Sequence, residues 1–118
     1  MTRATRQRRL DAEERWPHLY QFLGAYLHQD WPEDSGTPEA AVDLAIDEHS
    51  LEQRQTVAQQ WWNWNAIEGS KADPRPAIND GLGVEVWFET PLEARQFMNV
   101  VYDKLVISIR KEVKDWKP

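Results

Sequence analysis

Cysteine is absent from this 118-residue chain, so neither a disulfide framework nor a thiolate metal site is available. No apolar run approaches the roughly 20 residues that a membrane-spanning helix requires. The arginines near the N-terminus are followed by no apolar segment of the kind that a secretory signal carries. Basic residues are also missing over a long stretch: no lysine or arginine lies between Arg15 and Arg54. These absences predict a soluble, cytosolic protein built around a single core, for which this length suffices.

Further absences narrow the chemistry. Ser35, Ser50, Ser70 and Ser108 fall in turn, cap, loop and helix contexts, and none sits in a nucleophile elbow. Gly81-Leu82-Gly83 precedes an extended pattern rather than a helix, so it is not a phosphate-cradling loop. His18 and His28 are ten residues apart, nearly three turns of one helix, and cannot share an ion. Pairing His28 with His49 would require the next helix to fold back. His28 and Asp30 read more simply as a helix end stabilised by its dipole and a residue bonding into the following turn. No catalytic residue, metal or cofactor is expected, and the chain is not expected to be an enzyme.

What is present is acid, unevenly placed. The net charge is −6. Residues 1–15 hold five arginines against three acids, a net of +2, which leaves −8 for the remainder. The stretch without basic residues contains Asp30, Glu33, Asp34, Glu39, Asp43, Asp47, Glu48 and Glu52. A field of one sign repels nucleic acid and acidic membranes and attracts a basic partner. Glu39, Asp43 and Asp47 are four apart, so they line one side of a helix, where like charges at that spacing disfavour it. No basic residue on that helix offsets them. Such a stripe suits the docking of a basic protein, where charge sets encounter rate and partner choice.

The pattern along the chain is mostly helical. Residues 1–15 combine low hydrophobicity with mixed charge and read as a basic, disordered leader; residues 16–118 read as one α-rich domain. Leu19, Phe22, Leu23, Tyr26 and Leu27 form an apolar stripe on a helix that opens at Pro17 and is expected to end at Trp31-Pro32. Gly24, inside it, predicts the close approach of another element. Thr37-Pro38-Glu39 starts a second helix, and Ser50 with Gln53 forms a capping box for a third that runs to about Ala66. Composition makes Glu68 to Leu82 a loop. From Gly83 to Glu89 the residues alternate, with Val84, Val86 and Phe88 on one face, which predicts a strand. Its partner is Ala77-Ile78 in a short hairpin, another subunit or a bound protein. Thr90-Pro91-Leu92-Glu93 then opens a last helix that can reach Trp116. The predicted fold is mostly α: about four helices in a small bundle, with a short strand or hairpin near residues 77–89.

Seven tryptophans are many for this length. On a helix Trp61, Trp62 and Trp64 spread over roughly 160°, more than one core-facing stripe absorbs. Trp61 and Trp62 are expected in the core; Trp64 and Trp87 are expected to be partly exposed, as tryptophan anchors at interfaces are.

With these residues in view, the segment Leu19-Tyr20-Gln21-Phe22-Leu23-Gly24-Ala25-Tyr26-Leu27-His28-Gln29-Asp30-Trp31, followed by Gly36-Thr37-Pro38-Glu39-Ala40-Ala41, resembles the N-terminal half of immunity proteins from bacterial contact-dependent growth inhibition systems. The resemblance extends from residue 17 to about 66. It implies a cytoplasmic protein, a single immunity domain over residues 16–118, that binds and neutralises the cognate toxin domain of a large secreted protein by occlusion. In such systems the toxin domain is often a nuclease; here it would be basic, and the chain would be a monomer before meeting it, with no nucleic acid or membrane as partner. Combined with the charge pattern, it makes Asp30, Glu33, Asp34, Glu39, Asp43, Asp47, Trp64 and Trp87 the candidate toxin-binding residues. The alternative is a dimeric regulatory adaptor or antitoxin-like binding module that uses the leader or the strand to dimerise.

Overall fold

A computed structural model of the chain describes residues 2–118. Its helices are α1 (Arg3–Arg15), α2 (Pro17–Tyr26), α3 (Trp31–Ser35), α4 (Pro38–Glu48), α5 (Leu51–Trp64) and α6 (Pro91–Arg110), with two π-helical turns, π1 (Asn65–Gly69) and π2 (Ala77–Gly81). The mostly α class is as expected.

Local chemistry fixes three of the starts. The Thr37 hydroxyl accepts from the Ala40 N–H and the Thr90 hydroxyl from the Glu93 N–H. Ser50 and Gln53 close a reciprocal capping box at the head of α5. Each side chain meets a backbone donor that a helix end leaves unpaired.

Both α2 and α6 pack against both α4 and α5. This arrangement encloses Leu19, Phe22 and Leu23 from α2, Val42 and Ala45 from α4, Val57 and Trp61 from α5, and Met98, Val101, Leu105 and Ile109 from α6. Burial of these side chains at about 1.5–3 kcal/mol each drives the association. Arg54 stitches α5 to α6. Its guanidinium, nearly buried, donates to the His49 carbonyl, the Ser108 hydroxyl and the Glu112 carboxylate.

Four expectations are corrected. The segment read as a disordered leader is helix α1, capped by Thr2 and seated on π2 through the buried Ala12. It has almost no apolar stripe, which is why its sequence resembles a leader. The helix that begins at Pro17 stops at Tyr26, and Trp31-Pro32 opens α3 instead of closing α2; proline is tolerated there because the first turn needs no N–H donor. The last helix stops at Arg110, and its tail turns back so that the Arg110 side chain donates to the Trp116 carbonyl.

The fourth concerns residues 77–89. Among the described residues there is no strand or hairpin: Ala77 and Ile78 belong to π2, and residues 83–88 form no ladder, with Gly83 at a left-handed φ of 69°. The alternation itself is correct, since Val84 and Phe88 are buried while Glu85 and Trp87 are exposed. What replaces the missing strand is a set of unrelated partners. The Val84 N–H donates to the Ile78 carbonyl and the Glu85 N–H to the Leu27 carbonyl. The Asn79 amide donates to both the Val84 and Val86 carbonyls, and the Trp31 indole to the Glu85 carbonyl at 2.6 Å. Arg75 donates to the carbonyls of Phe88 and Glu89. The segment is thereby wedged between π2 and the α2–α3 turn, held through the N–H groups of Val84 and Glu85 and the carbonyls of Val84, Glu85, Val86 and Phe88.

Candidate protein-binding surface

The acidic residues fall into two regions. On α4, Glu39, Asp43 and Asp47 are exposed along one side, as their spacing predicts. The stripe is not uncompensated, however. Lys104 of α6 places its ammonium 2.8 Å from Asp43, a contact between positions 61 apart in sequence.

The second region is built by α3 and the wedged segment. Asp30 precedes α3, and Glu33 and Asp34 lie in its first turn, the end where the helix dipole favours anions. The Asp30 N–H donates to Nδ1 of His28, whose ring lies 3.9 Å from the Asp30 carboxylate and 3.7 Å from that of Asp34. His28 is thus a turn-organising residue. The Trp31 indole bond carries α3 up to Glu85, on the face of the wedged segment that also presents Trp87 and Glu89. Among the described residues, none of Asp30, Glu33, Asp34, Glu85 or Glu89 forms an ion pair with a lysine or arginine.

The tryptophans divide differently from expectation. Trp87 is 86 % exposed, in line with its reading as an exposed anchor, but Trp64 is 1 % exposed and Trp62 is 53 % exposed. Residues 61 and 64 are one turn apart and share the inward face, whereas 62 is turned 100° away. Trp61 stacks on Tyr102 with ring centroids 4.4 Å apart, and Trp62 reaches the same ring from outside at 6.0 Å. The indole nitrogens of Trp61 and Trp64 are buried without a partner. Trp64 therefore belongs to the core and leaves the set of candidate surface residues.

Two phenols and one carboxyl titrate away from their ordinary values. Burial first, then the neighbouring Glu48 carboxylate, pushes the Tyr26 phenol up; burial also raises Tyr102. The Arg75 side chain, hydrogen-bonded to Asp73, holds that carboxyl below the usual range. None of these groups is paired with a nucleophile. His49 packs edge-on against Phe22, with ring centroids 5.1 Å apart, and its Nδ1 lies 2.6 Å from the Ala45 carbonyl oxygen.

Sequence reasoning missed the Arg54 junction, since nothing local marks an arginine for burial. It also missed Glu85, whose place beside α3 depends on the Trp31 bond. Among the described residues no helix is long and apolar enough to cross a membrane. Beside α3, then, an exposed tryptophan lies near carboxylates that meet no lysine or arginine among the described residues. A family model described as CdiI immunity protein matches residues 15–105. The chain belongs to that family, the immunity proteins of contact-dependent growth inhibition, whose members counter a toxin of such a system. The match runs from the end of α1 into α6, well beyond the N-terminal half that carries the resemblance in sequence. No curated protein and no solved structure matches the chain.

Proposed function

We propose that this chain binds the cognate toxin domain of a large secreted growth-inhibition protein in the cytoplasm and neutralises it by occlusion, without catalysing a reaction. The observation that carries this reading is the family match over residues 15–105. The charge distribution adds the chemistry of the partner. A nuclease toxin presents a basic nucleic-acid cleft, and the acids at Asp30, Glu33, Asp34, Glu39 and Asp47 complement it. Asp43, already held by Lys104, contributes less field. Charge sets the association rate, and buried aromatic contact slows dissociation. Pairs of this kind reach the tightest non-covalent affinities. The free chain is a monomer in this reading, and it binds neither nucleic acid nor membrane.

The test is co-expression with the toxin domain encoded beside this chain, together with stopped-flow association. The wild-type chain should protect cells, and Glu39→Lys/Asp43→Lys/Asp47→Lys should slow association about tenfold or more at low salt and flatten its salt dependence. Absence of protection by the wild-type chain would overturn the reading. Unchanged association in the triple variant would remove the α4 stripe from it.

A further inference from the structure

Between α1, α2 and residues 79–85 runs a groove of about 710 Å³ whose walls include Gly24, Ala25, Asp30, Asp80 and Glu85. We infer that this groove receives an arginine- or lysine-bearing loop of the toxin, with Trp87 as the apolar anchor at its mouth. The inference rests on the proposed toxin-binding function and names the surface that performs it.

Three observations converge. The floor on the α2 side is formed by small residues, Gly24 and the exposed Ala25, so the groove is open to a side chain from outside. Its volume falls in the range that buries a ligand group. Arg9 of α1 lines the groove as well, so three carboxylates, Asp30, Asp80 and Glu85, face one arginine there; among the described residues Asp80 is met by Arg8 at 3.4 Å, and no lysine or arginine lies in ion-pair contact with Asp30 or Glu85. The balance of the lining is therefore acidic, which favours an incoming cation. Finally, Glu85 lines the groove and Trp87 follows on the same face, about 7 Å farther along an extended chain. A tryptophan with 86 % of its surface in water gains by burial against a partner, and tryptophan is enriched among residues that dominate binding energy. The Trp31 indole bond and the Asn79 amide clamp this wall on both sides, so little ordering entropy is lost there on binding.

The experiment measures affinity of the inactivated toxin domain for four chains. They are wild type, Ala25→Trp, which fills the groove from an exposed helix position, Asp30→Lys/Glu85→Lys, which reverses its free charges, and Glu52→Lys as a charge control on α5. Thermal melts verify folding, and the charge variant at exposed positions serves should Ala25→Trp fail to fold. Each groove variant should weaken binding about 30-fold or more, and the control less than about threefold. Wild-type binding with both groove variants unchanged overturns this inference and leaves the immunity function standing. Variants that shift only a monomer–dimer equilibrium assign the groove to a second copy and overturn it as well. Failure of the wild-type chain to bind or protect overturns the function itself.

Discussion

At the scale of single residues, two tryptophans that were both expected to be partly exposed differ in burial, Trp64 at 1 % and Trp87 at 86 % exposed. Trp64 fills the junction where α5 passes into π1 and is buried, so Trp64→Ala should cost about 3–5 kcal/mol in urea denaturation. Trp87→Ala removes a ring that rests on little else and should leave stability within about 0.5 kcal/mol. Asp73 offers a titration test. The Arg75 hydrogen bond depresses its folded-state value, so its contribution is present above the unfolded carboxyl value of about 3.9 and is lost as pH falls through the lower folded value. An NMR carboxyl titration should place the midpoint below about 3.9, and Arg75→Gln should bring it back toward that value. A midpoint unmoved by Arg75→Gln would remove the assigned cause. Which residues bond locally was legible in advance: Thr37, Ser50 and Thr90 declare their helix starts because donor and acceptor lie three residues apart. Exposure of Trp64 was misjudged because the inward face of α5 is decided by where α2 and α6 pack, and no local spacing encodes that.

At the scale of elements, α1 and the wedged segment share a lesson about what a hydrophobic pattern conveys. The stripes of α2, α4, α5 and α6 were readable because each buries a face against two neighbours. Helix α1 buries only Ala12, approaching the backbone of Gly81 closely, and a cavity of about 290 Å³ lies between it and the body. An element held by so little apolar contact opens at low free-energy cost. Hydrogen exchange should therefore find α1 amides the fastest of the long helices and α6 the slowest; equal protection in the two would contradict this. For residues 83–88 the period of two was right and the inference to a sheet was wrong. Alternation reports burial of every second side chain, and the backbone can be satisfied by an asparagine amide and an indole as well as by a neighbouring strand.

At the scale of the whole molecule, charge separation is the organising feature. The basic residues concentrate in α1 and near the C-terminal end, while the surface from α3 to α4 carries acid. Toxin association should accordingly slow steeply as salt rises through the range where the Debye length shrinks from about 30 to 8 Å, the behaviour that the α4 charge reversal is designed to flatten. The acidic stretch was visible in sequence, but its division into a partly neutralised stripe and a free patch was not, because Lys104 meets Asp43 across 61 positions. The wedge also bears on how such a protein survives at high concentration. The run Gly83-Val84-Glu85-Val86-Trp87-Phe88 has the alternation and aromatic content of a segment that templates intermolecular β-structure. The carbonyls of Val84, Glu85, Val86 and Phe88 are already occupied by side chains of the same molecule, which leaves fewer acceptors for the strand of a second chain. The clamp that fixes the wall of the proposed groove thus also removes acceptors from the stretch of this sequence most prone to self-association.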